Sequence, residues 1–347
     1  MTTSYLVGAP IFLPDVPEDG RFPVPIHQAG LIASILANDN TPSHIEGRLR
    51  DEHGSIVTAL NEMGYRFQIA HARPDKLDST AICNYLARGY RFIRFPSDFP
   101  AGLALCPRDL VVTIPGRVLL NCVYASIDRV IDGCRITSSP IGDGGSVLLA
   151  SGAAVVCDRI ISFCDNVPMN RQACESDLEP FVSAGMKTVM FPAPVMGFLK
   201  DGSLTGQLAF FGHCDRVSCL VSDTRGGLHL VVDHNIVTAS VINDSAQSWR
   251  SMLLDETMSV LHRACESKGI TVHRAPRSTV PYSLNLQQFF DGRILMTGGA
   301  TEVTEMLRSI TGQQIVTTSV PIQYYPAWMY AGIHCLVTEF PRSLLTK

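Results

Sequence analysis

A helical stretch that ends at a glycine and leads directly into a short β-rich run recurs along this chain. Glycine adopts the left-handed conformation that ends a helix, and proline closes several of the β runs that follow. In each such unit we therefore expect a helix followed by one strand of a sheet. The predicted units lie at 56–69, 81–96, 171–192, 249–276 and 302–316.

Paired β runs with turn residues between them lie between these units. They cover 111–114 with 118–120, 146–149 with 154–157, 217–221 with 228–232, and 284–289 with 294–296. Two strands, a helix and a third strand make a ββαβ module, and repeats of one module indicate a ring or an array. An ordinary α/β sandwich is the alternative. The opening fifty residues predict one strand, Tyr5 to Val7, followed by loops.

The composition narrows the class of protein. The 347 residues suffice for two ordinary domains or one large closed architecture. A net charge of −4 gives no reason to expect nucleic acid or an anionic membrane surface as a partner. No apolar run reaches membrane-spanning length, and the opening residues lack a signal-peptide pattern. The eleven cysteines lack Cys-x-x-Cys spacing, so we expect reduced thiols in the cytoplasm and neither a disulfide framework nor a metal site.

Four short stretches place an acid, a histidine or a cysteine immediately before a β run. They are 106–109 with Asp109, 143–146 with Asp143, 212–215 with His213 and Asp215, and 332–335 with Cys335. In a ring of modules, equivalent strand ends converge on one central cavity, so the four stretches could share a site. Each stretch alone also has a structural reading, as a turn acid, a hairpin turn, a core histidine or an inert core cysteine.

Together the four stretches fit one chemistry. Cys335 opens the final β run beside His334, whose protonated ring would favour the thiolate that attacks electrophiles. His213 and Asp215 are two positions apart, so on an extended strand their side chains share one face. A thiol, an imidazole and carboxylates suit a guanidinium group, which is planar, cationic and bound by carboxylates through paired hydrogen bonds. No serine-hydrolase elbow, dinucleotide fingerprint or P-loop is present, so we expect no cofactor.

These stretches resemble the guanidino-modifying enzymes of the pentein superfamily, most closely the agmatine deiminase and bacterial peptidylarginine deiminase branch. The resemblance covers roughly residues 105–342, and the first hundred residues show little of it. Six stretches of this chain are each similar to a motif of the branch. Residues 331–338 are similar to Gly-x-Ile-His-Cys-x-Thr, 212–215 to Gly-His-x-Asp, and 107–109 to (Ala/Thr)-Arg-Asp. Residues 143–146 are similar to Glu-Gly-Gly-Ser, 169–171 to Asn-Arg-Asn-Pro, and 282–285 to Tyr-Leu-Asn. Asp143 stands where the branch has Glu.

The resemblance implies an α/β fold, a five-bladed α/β propeller built from ββαβ modules around a central active site. Residues 1–347 would form a single catalytic domain, with the recognisable modules in 101–347 and a poorly matched part in 1–100. Cys335 would be the nucleophile and His213 the general acid and base. Asp109 and Asp215 would grip the guanidinium, and Asp143 would be a further substrate-binding position.

The implied activity is a hydrolase that acts on a guanidinium group through a covalent thiouronium on Cys335 and releases ammonia and a ureido product. Arginine, an arginine derivative, agmatine and peptidyl arginine are all open as substrates. An amidinotransferase that passes an amidino group to an amine is one alternative, and a non-catalytic binding protein of the same fold is another. The expected partner is a small guanidino molecule or an arginine-containing peptide, and the chain could form a homodimer.

Overall fold

The structure is a computed structural model. It describes residues 3–7, 41–65, 67–71, 92–94, 108, 111–121, 128–131, 134–139, 144–164, 167–172, 174–191, 213–233, 258–326 and 331–341. The helix predicted over 81–88 lies outside these residues.

The helices lie between groups of short strands. They are α1 (Pro42–Glu62), α2 (Glu175–Ser183), α3 (258–266), α4 (Thr301–Thr311) and the one-turn α5 (Ile333–Leu336). The strands are β1 (Thr3–Val7), β2 (Phe67–His71), β3 (Phe92–Arg94), β4 (Val111–Ile114), β5 (Arg117–Asn121), β6 (Asp128–Ile131), β7 (Cys134–Ser139), β8 (Val147–Ala150), β9 (Ala153–Cys157), β10 (Arg159–Cys164), β11 (Val167–Gln172), β12 (Lys187–Phe191), β13 (Ser218–Ser222), β14 (Leu228–Val232), β15 (Ile270–Arg274), β16 (Gln287–Gln288), β17 (Ile294–Met296), β18 (Ile315–Thr317) and β19 (Val337–Pro341).

Five of the described sheets share one arrangement, an antiparallel pair whose second strand is joined on its other edge by a parallel strand. We name them module A (β4, β5, β7, with β6 at the edge), module B (β8, β9, α2, β12), module C (β13, β14, α3, β15), module D (β16, β17, α4, β18) and module E (β19, β1, α1, β2, with β3 at the edge). Strands β10 and β11 form a separate hairpin. The predicted ββαβ order is therefore present in modules B to E, whereas the described part of module A has strand β6 between β5 and β7. No sheet of the described residues closes on itself.

The glycines that follow the helices adopt the predicted left-handed conformation. Gly185 follows α2 with φ 75°, and Gly312 follows α4 with φ 64°. The Gly312 N–H donates to Arg308 O, which satisfies a carbonyl at the end of α4. A residue with a Cβ would be strained at these positions, so these glycines set the point where each chain segment turns into its strand.

The first helix begins earlier than the sequence pattern indicates. The prediction of loops before residue 51 is wrong for Pro42 onward, because Pro42 is well suited to the first helical turn. Ile45, Leu49, Ile56 and Leu60 are all buried along one face of α1. This helical spacing was obscured by the glycines and charged residues between the apolar positions.

The helix predicted from residue 171 also begins at a different place. Residues 171 and 172 end strand β11, and α2 starts at Glu175. A capping interaction decides this boundary, because the Cys174 N–H donates to Asp177 Oδ2 at 2.9 Å. The helix end and the following strand agree with the prediction.

Consecutive modules pack on one another through shared hydrophobic clusters. One cluster joins module A to module B, a second joins B to C, a third joins C to D, and a fourth joins D to E. Module E in turn lies against module A, where β19 contacts β4 and Thr113 Oγ1 donates to Glu339 O at 2.7 Å. The strand ends that carry the four predicted stretches are therefore brought close together.

Candidate active site

Short helical turns carry three of the four stretches singled out in the sequence. A 3-10 turn at Gly144–Ser146 precedes β8, a second at Cys214–Arg216 precedes β13, and α5 precedes β19. The expectation that Cys335 opens a strand is wrong, since it lies inside α5. Asp215 likewise lies in a turn rather than on an extended strand. The turns contact one another, and their side chains meet at the strand ends.

Glycines allow these turns to approach closely. A methyl group on Gly145 would overlap the imidazole of His213, and one on Gly144 would overlap the backbone of Arg108. The Cys214 thiol donates to Gly145 O at 3.6 Å, which ties the same two turns together. The stretches around residues 108, 144 and 214 therefore converge because two adjacent positions have no side chain.

Asp215 is the centre of the site. Three side chains donate hydrogen bonds to its Oδ2: Asn285 Nδ2 at 3.0 Å, His334 Nδ1 at 3.1 Å and the Cys335 thiol at 3.2 Å. His213 Nδ1 lies 4.0 Å from the other oxygen, Oδ1. Within the described residues Oδ1 has no hydrogen-bond donor, although it is buried. One oxygen of the Asp215 carboxylate therefore holds Cys335, the candidate nucleophile, and the other oxygen can still accept a hydrogen bond.

The surroundings of Asp215 keep it ionised. Burial by itself raises the pKa of this carboxyl, but the hydrogen bond from His334 and the charges of His334, His213 and Arg216 lower its pKa to about 2. Burial lowers the pKa of His334, and the nearby charge of Arg108 lowers it further, although Asp215 opposes the shift. We therefore describe the pair near pH 7 as a carboxylate that accepts a hydrogen bond from a neutral imidazole.

Asn285 holds the thiol segment in place. Its Nδ2 donates to Asp215 and lies 3.5 Å from the Cys335 sulfur, while its Oδ1 accepts the backbone N–H of His334 at 2.8 Å. A side chain on Gly332 would overlap Asn285, so this glycine is needed for the contact. One amide therefore links the carboxylate, the thiol and the backbone of α5.

The structure brings together Cys335, His213 and Asp215. Asp109 and Asp143 lie outside the described residues, although their chain neighbours Arg108 and Gly144 abut each other at the site. The sequence does not reveal the role of Asn285, which belongs to the stretch at 282–285 that is similar to Tyr-Leu-Asn. The sequence signal for Asn285 is a polar residue between two leucines, Leu284 and Leu286, and all three residues are buried in the structure.

A cavity of about 560 Å³ reaches this site. Asp215 and His334 line it, together with Arg108 and Glu339 from neighbouring modules, and Leu284 and Leu286 form part of its apolar wall. The Cys335 thiol is buried and donates to Asp215, one of the residues that line the cavity. A ligand in the cavity would therefore meet the carboxylate and the imidazole beside the sulfur.

Solved structures share this fold at very low sequence identity. The N-terminal domain of ArgZ, in a variant covalently bound to a reaction intermediate, aligns with a TM-score of 0.50 and 10% identity over 97% of each chain. The product-bound form of that domain, from an arginine dihydrolase of the ornithine–ammonia cycle in cyanobacteria, gives the same values. A mutant of DDAH from Pseudomonas aeruginosa in complex with citrulline aligns over 84% of this chain and 89% of that chain, with a TM-score of 0.47 and 8% identity.

The likeness to the ArgZ domain establishes the fold alone. The chain has a mixed α/β fold built from small separate sheets, and it shares this fold with the ArgZ domain. No protein-family model matches the sequence, and no curated protein sequence matches it. None of the described helices is long and apolar enough to cross a membrane, and the described side chains include no group of three acids, histidines or cysteines that could hold a metal ion.

Proposed function

We propose that this protein is a cysteine-dependent enzyme that hydrolyses a guanidinium group to a urea and ammonia. The observation that carries the proposal is the contact between the Cys335 thiol and the ionised Asp215, at 3.2 Å, beside a cavity that Asp215 lines. A buried carboxylate attracts a cation, and a cation beside the sulfur stabilises the thiolate. The site thus promotes formation of the nucleophile when a cationic substrate arrives.

A guanidinium group matches the vacant acceptor of Asp215. Its N–H groups would donate to Oδ1, and its charge would compensate a carboxylate that is already ionised. Asp109 and Asp143 belong to the same proposal as further acceptors, which is supported by the position of their chain neighbours at the site. Carboxylates around the planar cation would fix its central carbon in front of the sulfur.

The reaction would proceed in two halves. The Cys335 thiolate attacks the guanidinium carbon, and the tetrahedral adduct loses ammonia after His213 donates a proton to the leaving nitrogen. This step leaves a thiouronium on Cys335. His213 then takes a proton from water, the resulting hydroxide adds to the same carbon, and the carbon–sulfur bond breaks. The products are a ureido compound and the free thiol.

We further propose that the five modules are the blades of a propeller with the site at its centre. The support is the cyclic order of contacts, from module A through B, C and D to E, and from E back to A. Such an order brings the equivalent strand ends to one axis. The free cysteines among the described residues would stay reduced in the cytoplasm, where we place the enzyme.

The test is turnover of guanidines by the purified protein and by its Cys335→Ala variant. L-arginine, agmatine and an arginine peptide are incubated with each, and ammonia release and a one-dalton mass gain of the substrate are measured. The wild type should convert at least one of them, and Cys335→Ala should lose activity by more than about a thousandfold. Cys265→Ala is the matched control, because Cys265 is another buried free cysteine, in the core between modules B and C.

Other outcomes point to the remaining hypotheses. Transfer of the amidino group to an added amine without ammonia release would show that the protein is an amidinotransferase rather than a hydrolase. Binding of guanidines without any turnover would support a binding protein instead. The preferred substrate would decide whether the predicted agmatine deiminase and peptidylarginine deiminase branch is the right one.

A further inference from the structure

The imidazole of His334 has no task in the proposed reaction, although it lies at the centre of the site. It lines the cavity beside Asp215 with its side chain 9% exposed, whereas His213 is not among the described residues of the cavity wall. Both rings flank one carboxylate: His334 Nδ1 lies 3.1 Å from Asp215 Oδ2, and His213 Nδ1 lies 4.0 Å from Oδ1. A molecule that enters from the cavity therefore meets His334.

The hydrogen bond to Asp215 fixes which nitrogen of His334 carries the proton. The ring is neutral near pH 7, because burial and the charge of Arg108 lower its pKa. A neutral imidazole has one N–H and one nitrogen with a free lone pair. Since the ionised Asp215 can only accept, the proton is on Nδ1. Nε2 is then a hydrogen-bond acceptor.

This acceptor is open to the cavity and has a defined direction. Nε2 makes no hydrogen bond to a residue that the structure describes, and it is not sealed inside the protein. The backbone N–H of His334 donates to Asn285 Oδ1 at 2.8 Å, while its ring is held by Asp215. Hydrogen bonds at both the backbone and the ring lock the side chain in one orientation.

We infer that Nε2 of His334 accepts a hydrogen bond from the water that hydrolyses the thiouronium on Cys335. This inference rests on the proposed function and adds a residue to its second half. His213 takes one proton of that water, and His334 holds the other by a hydrogen bond, so that a lone pair of the oxygen is directed at the carbon. The held proton stays on the oxygen until the carbon–sulfur bond breaks, and it then restores the thiol.

Water suits Nε2 of His334 better than the guanidinium does. The cation donates to carboxylate oxygens, which its charge favours, and Asp215 Oδ1 is a buried acceptor without a donor among the described residues. A water molecule is uncharged and needs a second acceptor besides His213 to fix its orientation. The cavity of about 560 Å³ can supply this water, because His334 forms part of its wall.

Two substitutions of His334 separate this role from a structural one. Asparagine places an amide near the position of Nδ1, so it keeps the bond to Asp215 but has no acceptor at Nε2. Glutamine places its amide near Nε2, so it keeps an acceptor there but gives up the bond to Asp215. Each protein is mixed with L-arginine, agmatine and an arginine peptide and quenched in acid, and the thiouronium on Cys335 is followed by intact-protein mass spectrometry.

His334→Asn should form the thiouronium at nearly the wild-type rate but hydrolyse it at least about tenfold more slowly, so that the adduct accumulates. His334→Gln should hydrolyse it faster than His334→Asn does, and within about fivefold of the wild type. His273→Asn is the matched control and should behave as the wild type. His273 Nε2 lies 3.0 Å from His229 Nδ1 in module C, and His273 is not among the described residues of the cavity wall.

The outcomes distinguish this inference from the proposed function. If the wild type does not convert a guanidine to a ureido product with release of ammonia, the proposed function is wrong and the inference falls with it. If the wild type turns over and His334→Asn hydrolyses the adduct at the wild-type rate, or slows its formation equally, only the inference is overturned. Slower hydrolysis in His334→Gln than in His334→Asn would assign the effect to the bond with Asp215, and would overturn it too.

Discussion

Two buried carboxylates in this protein have opposite surroundings. Asp215 receives three side-chain donors on one oxygen and lies beside histidines and an arginine, and its pKa falls to about 2. Glu52 of α1 receives three backbone N–H groups, from Gln323, Tyr324 and Tyr325, on both of its oxygens. Burial nevertheless raises the pKa of Glu52 to about 7, because those bonds and the charge of Arg48 do not offset it.

This difference distinguishes Asp215, a carboxylate that can bind a ligand, from Glu52, a carboxylate that holds two segments of the chain together. Glu52 has each oxygen occupied by the chain, so it anchors the segment at 323–325 to α1. Asp215 retains a buried oxygen without a donor at a cavity, and the hydrogen bond from His334 and the charge of Arg216 help to keep it ionised. Burial is common to both, and the number of free acceptor positions distinguishes them.

The largest expected effect is on turnover by Asp215→Asn. The substitution removes the charge opposite the substrate cation, so kcat/KM for the preferred guanidine should fall by about a hundredfold or more. Glu52→Gln, an equivalent change at the other carboxylate, should leave activity per folded molecule within about twofold. Equal losses in the two variants would show that Asp215 acts through stability alone.

A smaller effect on turnover is expected from Gly145→Ala, which tests whether catalysis depends on the position of the His213 imidazole. The new methyl group would displace the imidazole, and kcat should fall by about tenfold or more while the fold persists. Gly47→Ala in α1 is the control, because its added methyl group meets open space. That variant should gain about 0.5–1 kcal/mol of stability and keep its activity. A fully active Gly145→Ala would argue against His213 as the proton donor.

The smallest effects are on the pH dependence of unfolding, and their signs differ. Since the Glu52 pKa is raised on folding, the folded state binds the extra proton, and stability should fall by about 3 kcal/mol as pH rises from about 4.5 to about 7. Since the Asp215 pKa is lowered, its contribution of about 2 kcal/mol should be present above pH 4 and lost as pH falls towards 2. Urea unfolding across this range should show a smaller first slope in Glu52→Gln, where the raised pKa of Glu339 still contributes, and a smaller second slope in Asp215→Asn.

Much of the fold was predictable because it depends on local signals. The helix–glycine–strand units at Gly185 and Gly312 and the hairpin of β13 and β14 appear where the pattern indicates them. The start of α1 was not predictable in this way, because its apolar face becomes evident only when the partner surface in module D is known. The cap at Cys174 was similarly hidden, since cysteine is not a usual capping residue.

The candidate site was predictable in part. Motif resemblance pointed to Cys335, His213 and Asp215, which the structure brings together, whereas Asp109 and Asp143 stay predictions. Asn285 and its partner His334 gained their significance from contacts that no spacing reveals. Their roles depend on segments far apart in sequence.

The sequence by itself determined the repeated module, the glycine stops and the residue types of the site, because each follows from backbone preferences or side-chain chemistry within a few residues. Only the tertiary structure decided which oxygen of Asp215 is occupied, that His334 and Asn285 share it with the thiol, and which acceptors remain free in the cavity. The reason is physical: hydrogen-bond satisfaction and burial are properties of atoms brought together from separate modules, and they exist only after those modules have packed.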